Sequence, residues 1–398
     1  MIHPLKMQRF ILTTGIFLAA VLMACPQDYD KIITGAERTE SYVPGLKDLN
    51  VALVINQTSV IGDTRLVDSL LNLGINILTI FTPEHGLQGA AEAGEKIDNR
   101  TDPQTGIKVV SLYGDKRKPD PADLSDIDLV IFDIQDVGTR FYTYISTLHY
   151  IMQACAENGV GLLVLDRPNP NSFYVDGPVL EPEYRSFAGM HPVPVVYGMT
   201  MAEYARMING EGWLGDNLTC CLSWVTCQGY DHSKKYRLPV NPSPNLRTMN
   251  AIYLYPSLCF FEGTALSVGR GTDFPFEVFG HPDLQNAYFT FTPESNPGTA
   301  ADPLFKGREC RGADLRFLRN QESDREKRIN IEWLMLAYED FPDKEHFFND
   351  YFENLAGTRS LREQISNGWT EEKIRESWRK GIQGFRTIRQ KYLLYPDK

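Results

Sequence analysis

"LNVALVINQTSVIGDTRLVDSLLNLGINILTIFTPEHG", residues 49–86, changes its hydrophobic period twice. "LNVALVINQTS" is apolar at consecutive positions, "TRLVDSLLNLG" spaces its apolar residues helically and closes on Gly74, and "INILTIFTPEHG" is continuous again. Continuous apolar runs of this length read as strands buried on both faces, with the helical stretch as the crossover between them. The unit recurs downstream. "IDLVIFDIQDVG" (127–138) is a third strand; Phe141, Ile145, Leu148, Met152 and Cys155 mark one helix face; "GVGLLVLDRPNP" (159–170) is a fourth strand. Strands separated by helices predict an α/β fold, a Rossmann-like parallel sheet covered on both sides.

"TMAEYARMING" predicts a helix opened by a capping box, Thr200 with Glu203, and ended at Gly210. The first domain is therefore expected to span residues 45–215. From about Leu218 the pattern shifts to short β-rich runs such as "NAIYLYPSLCFFEG" between proline-rich loops. This predicts a smaller mixed α+β domain over 216–398 that closes a cleft against the first. Its last helix places Ile374, Trp378, Ile382, Phe385 and Ile388 on one side, a packing face.

The address is written at the other end. Lys6 and Arg9 precede "FILTTGIFLAAVLMA", which stops at Cys25. The stretch is too short for a membrane span and reads as a secretory signal over residues 1–24. "LMAC" resembles a bacterial lipobox, although Met23 departs from its usual residue, and the match predicts acylation of Cys25. Ordinary signal cleavage nearby is the alternative, and either route exports the chain. The expected product is a periplasmic or cell-envelope lipoprotein that touches the membrane only through Cys25. Losing residues 1–24 removes two cations and no acid, so the net charge goes from −11 to −13. Such a chain is a poor ligand for nucleic acid.

In open parallel sheets ligands bind beyond the carboxyl ends of the strands. Here the four strands run into Asn56-Gln57-Thr58, Glu84-His85-Gly86, Asp133-Ile134-Gln135-Asp136 and Asp166-Arg167-Pro168-Asn169. Amides and carboxylates at every end predict one polar cleft. The loop after Glu84 is rich in Gly and Ala and presents Glu92 and Glu95, leaving room for a bulky polar substrate. Two carboxyl groups facing one bond are what glycoside hydrolysis requires, one protonating the leaving oxygen and the other activating water or attacking the sugar. Other readings stay open for each acid: Glu84 capping a helix from Gly86, Asp136 capping the helix that follows, Glu95 as a solvated surface group. His85 either polarises Glu84 or a hydroxyl, or is structural. Arg140, Arg167 and Arg270 sit in polar loops and suit two-point recognition of a carboxylate.

Other chemistries find no support. There is no GxSxG, HExxH or GxGxxG, and no CxxC pair among the cysteines. No metal, dinucleotide or other cofactor is indicated.

With these residues in place the chain resembles the bacterial exo-β-N-acetylmuramidase (NamZ) family. The resemblance is carried by "NQTS", "FTPEHGLQGAAEAGE", "SLYG", "LVIFDIQDVGTRFYTYISTL", "LDRPNP", "PSPN", "FFEGTALSVGRGTDFPFEVFG" and "YLLYP", which span nearly the whole exported chain. It implies an enzyme releasing N-acetylmuramic acid from the non-reducing end of peptidoglycan fragments, with the active site between a Rossmann-like domain and a smaller one. It also implies Glu92 as acid catalyst, with Glu84 and His85 close by. The sugar's lactyl carboxylate would give Arg140, Arg167 or Arg270 a partner, while Asn56, Asn169 and Asn245 could hold the N-acetyl group and hydroxyls. Asp133, Gln135 and Asp166 complete the expected substrate contacts, and Glu262 would face the cleft from the second domain. The competing reading is a lipid-anchored glycan-binding protein that feeds a transporter and cleaves nothing.

Overall fold

The computed structural model describes residues 32–89, 100–318 and 327–397. The expected leader, Cys25 and Glu92 lie outside them. The chain runs through β1 (Asn50–Ile55), a small hairpin of β2 (Val60–Ile61) and β3 (Thr64–Arg65), α1 (Leu66–Asn72), β4 (Asn76–Thr82), β5 (Arg100–Thr101) and β6 (Lys108–Ser111). It continues with α2 (Pro121–Leu124), β7 (Leu129–Asp133), α3 (Tyr144–Asn158), β8 (Gly161–Leu165), α4 (Met201–Gly210) and β9 (Leu222–Val225). These strands make one sheet in the order β5-β6-β4-β1-β7-β8-β9, parallel from β6 to β9 with β5 antiparallel at the edge. The six parallel strands thus follow the doubly wound order in which the crossover direction reverses between the first strand and the fourth, here β1 and β7.

β1 shows why both faces are covered. Val51, Leu53 and Ile55 pack into a cluster with Leu66, Val67 and Leu70 of α1, whereas Ala52 and Val54 join Ile145, Leu148 and Met152 of α3 on the other side. Successive side chains of a strand point to opposite faces, so an all-apolar strand must have a helix on each.

The remainder carries α5 (Met249–Leu258), the antiparallel strands β10 (Val278–His281), β11 (Phe289–Phe291) and β12 (Cys310–Asp314) in the order β10-β12-β11, then α6 (Glu332–Asp340), α7 (Phe352–Ala356), α8 (Ser360–Ser366) and α9 (Glu371–Arg389). This is the smaller mixed α+β region the sequence predicts, with two corrections. "NAIYLYPSLCFFEG" is helical: α5 opens on Thr248, whose hydroxyl accepts the Ala251 amide hydrogen at 3.0 Å, and passes into a 3₁₀ turn at Cys259–Gly263. Its aromatic residues suit a strand by propensity, but they are packed on nearly every side, and burial overrides propensity. Secondly, β9 belongs to the large sheet, so that sheet extends past the boundary expected at residue 215. α9 buries Ile374, Trp378 and Phe385, the face expected of it.

Candidate active site

The crevice that this strand order leaves between β1 and β7 is filled by the chain itself. Asn56 Oδ1 accepts the Thr58 amide hydrogen and its Nδ2 donates to the Tyr144 hydroxyl, both at 2.9 Å. The Gln135 amide donates to Thr58 Oγ1 at 3.0 Å, while the Gln135 side chain donates to the Asp136 and Pro168 carbonyls. Arg167 grips Asp133 at 2.5 and 2.9 Å and donates to the Val60 carbonyl. Burial opposes the Arg167 charge, and Asp133 more than offsets it, so the guanidinium stays protonated.

The other strand-end polar residues are spent in the same way. Asp166 accepts the Ala202 amide hydrogen at 3.0 Å and the Tyr395 hydroxyl at 2.6 Å, tying β8 to the start of α4 and to the C-terminal segment. Asn169 donates to the Met199 carbonyl and packs on Gly138, where a Cβ would lie 2.2 Å from its side-chain oxygen and φ is +78°. Asp136 accepts the Gly138 amide hydrogen and the Tyr197 hydroxyl and caps no helix, since α3 begins only at Tyr144.

Arg140, expected to read a substrate carboxylate, is fully buried. It donates to the carbonyls of Pro178 and Val193 through one nitrogen and of Leu355 and Ala356 through the other, at 2.7–2.9 Å. Burial pulls its pKa down to about 9. Gly357, at φ +73°, leaves the space: a Cβ there would lie 2.6 Å from the guanidinium. Arg140, Arg167, Asn56, Asp133, Gln135, Asp166 and Asn169 therefore bond within the fold and are not among the residues that line the cavity.

The cavity opens to one side of the filled crevice, over the ends of β4 and β6. It measures about 770 Å³ and brings together Glu84, His85, Asn245, Glu262 and Arg270 among the residues expected from the sequence. Glu84 follows β4, and no helix begins at Gly86; the chain turns sharply through His85 and Gly86, at φ +70° and +71°. A non-glycine residue in the left-handed region is uncommon and marks a locally enforced conformation. Glu84 accepts the Thr143 hydroxyl at 3.0 Å and bonds the Tyr113 phenol, which burial and the Glu84 carboxylate hold above its ordinary pKa.

The opposite wall comes from the 3₁₀ turn after α5. There Glu262 pairs with Arg270 at 2.6 Å, and the guanidinium lies 5.1 Å from the centre of the Phe276 ring. Tyr351 stands between the walls: burial first, then Cys259 and the carboxylates of Glu262 and Glu84, push it up to about 12. Asn245 donates to the Thr299 carbonyl at 2.9 Å, and its side-chain oxygen has no hydrogen-bond partner among the described residues. Tyr113, Thr143 and Tyr351 were missed by sequence reasoning. Tyr113 follows β6, so the strand-end rule reaches it once the four-residue β6 is recognised; Tyr351 carries no such signal.

Carboxylates and aromatic rings gathered over the carboxyl edge of a doubly covered parallel sheet suit a carbohydrate-active α/β enzyme. Comparison with known proteins narrows that class. Models of the N-terminal and C-terminal regions of the exo-β-N-acetylmuramidase NamZ match residues 51–250 and 253–395. The chain is 36% identical over 415 aligned positions to the peptidoglycan β-N-acetylmuramidase NamZ of Bacillus subtilis (strain 168), covering 97% of this chain and 99% of that one. A solved DUF1343 family protein of Bacteroides fragilis NCTC 9343 superposes with a TM-score of 0.86 at 43% identity, covering 92% of this chain and 100% of the other. A second from the same organism gives 0.78 at 30%, covering 92% and 99%. The chain belongs to the NamZ exo-β-N-acetylmuramidase family.

Proposed function

We propose that this protein is an exo-acting glycoside hydrolase that releases N-acetylmuramic acid from the non-reducing end of peptidoglycan fragments by carboxylate acid/base catalysis. The observation that carries the reading is the placement of Glu84: it faces a cavity of sugar size, takes hydrogen bonds from two hydroxyls, and shares the Tyr351 environment with Glu262 on the far wall. Two hydroxyl donors suit an acceptor, so Glu84 serves as the second carboxyl group of the pair, with His85 beside it. Glu92, which the family resemblance favours as the acid, is kept in that role. Asn245, whose side-chain oxygen has no partner among the described residues, suits the N–H of the N-acetyl group. Export as a lipoprotein acylated at Cys25 belongs to the same reading, and the mass of the N-terminal peptide tests it.

The test of activity is hydrolysis of a chromogenic N-acetylmuramic acid glycoside by the purified full-length chain. Glu84→Gln keeps the shape of the side chain and removes its charge. It should retain the fold by circular dichroism and lose about 10²- to 10⁴-fold in kcat, the range for a positioned acid or base. Full activity in the variant sinks the assignment. Tight sugar binding with no cleavage by the unsubstituted chain would instead leave a glycan-binding protein.

A further inference from the structure

Among the described residues, the cavity lining holds three carboxylates, Glu84, Glu262 and Asp302, and two guanidinium groups, Arg117 and Arg270. Arg270 is already neutralised by Glu262, and a substrate anion would have to compete for it. Arg117 is differently placed. It lies on the loop after β6, and among the described residues it has neither a carboxylate partner nor a hydrogen bond; its close neighbour is the Phe187 ring, 4.6 Å from the guanidinium carbon to the ring centre. Phe187 is flanked by Tyr113 at 6.2 Å and stacked on Tyr150 at 6.3 Å. Stacking occupies the flat face of a guanidinium and leaves its edge donors available in their fixed fork, the arrangement that meets a carboxylate at two points. Beside Phe187, Ser186 lines the same cavity, and its buried hydroxyl has no partner among the described residues.

We infer that Arg117, with Ser186 beside it, forms a subsite for an acidic substituent of the bound sugar, and that it reads the lactyl carboxylate of N-acetylmuramic acid. The inference rests on the proposed function for the identity of the sugar. It goes beyond that reading by moving acid recognition from Arg140, Arg167 and Arg270 to a residue on the β6 loop. An anionic sugar entering a cavity with more carboxylates than cations needs a positive charge that is not already paired, and Arg117 supplies it at the side where Tyr113 holds Glu84.

The test compares binding of free N-acetylmuramic acid with binding of its neutral lactyl amide, by calorimetry on the full chain. The unsubstituted protein should bind the acid about tenfold or more tightly than the amide, the span of a charge-assisted hydrogen bond. Arg117→Gln should bring that ratio close to one while leaving amide binding unchanged, Arg117→Lys should restore part of it, and Arg270→Gln should keep the preference. An intact preference in Arg117→Gln overturns the inference. So does an unsubstituted protein that binds the two alike or binds neither, and so does a variant that loses both sugars equally, since Arg117 would then be only a wall. Cleavage of the chromogenic glycoside is scored separately: selective binding lost in Arg117→Gln without any cleavage refutes the hydrolase and keeps the subsite, while cleavage with unchanged selectivity does the reverse.

Discussion

Carboxylates in this molecule divide by what reaches them. Glu84 faces a cavity and hydroxyl donors, whereas Asp136 and Asp166 are closed in, and burial raises them to about 6 and about 7. A carboxyl group raised in the folded state keeps its proton at a pH where the unfolded chain has released it. The stability tied to that proton is therefore complete below about pH 4 and lost as pH rises through about 7. Asp166→Asn stays neutral throughout and should not lose it. Relative to the unsubstituted protein, the variant should gain roughly 2 kcal/mol between pH 5 and pH 8, about half of what a three-unit shift allows at about 1.4 kcal/mol per unit. Guanidinium midpoints of both proteins at the two pH values measure it, and a constant gap would show that Asp166 is ionised in the folded state. The same division sets what the sequence could reveal. The strand-end rule pointed to Glu84 and His85, and equally to Asn56, Asp133, Gln135, Asp166 and Asn169, because amides and acids serve a substrate or a buried backbone alike. Only the arrival of distant partners, such as Met199 at Asn169 or Tyr395 at Asp166, separates the two uses.

Among the elements, α4 was the most legible, because its signals are local. Thr200 and Glu203 form the capping box, with Glu203 accepting the Thr200 amide hydrogen at 2.9 Å, and the helix ends at Gly210. What the local signal could not show is the second use of Glu203. Its other oxygen accepts the amide hydrogens of Leu394 and Tyr395 at 2.8 and 3.2 Å and meets His232 at 3.0 Å. The "YLLYP" segment is thus fastened to the start of α4 through a residue that reads in sequence as a cap. The two members of the box should separate on substitution. Thr200→Ala should cost about 1 kcal/mol, the ordinary worth of a cap. Glu203→Ala takes the acceptor from three backbone donors, the amides of Thr200, Leu394 and Tyr395, and from His232, and should cost about 3 kcal/mol or more. Equal losses in denaturant titrations would mean that the C-terminal segment docks without Glu203.

At the scale of the molecule, the composition shift near residue 215 is real but does not mark a break in packing. β9 was overlooked there because it is four residues long and carries Ser223 and Trp224 at exposed positions. One continuous apolar cluster joins Ala52 of β1, Phe132 of β7, Phe260 beyond α5, Phe352 of α7 and Trp378 of α9. Arg140 ties the loop that leads to Phe141 and Tyr142 to the end of α7, and both stretches border the cavity. Domains that unfold independently need separate cores joined by few contacts. Here the core is shared, and the cavity is framed by the same contacts that join the two regions. Unfolding in guanidinium should therefore be one transition, with tryptophan fluorescence, far-ultraviolet dichroism and sugar binding lost at the same midpoint. A chain of residues 32–250, cut near the limit of the N-terminal family match, should fail to give a cooperative transition, because the cut strips Tyr255 and Phe260 from Phe141 and Tyr142 and takes the Leu355 and Ala356 carbonyls from the buried Arg140. Two separated midpoints, or a cooperative fold in the fragment, would show that the cavity lies between independent bodies free to open and close.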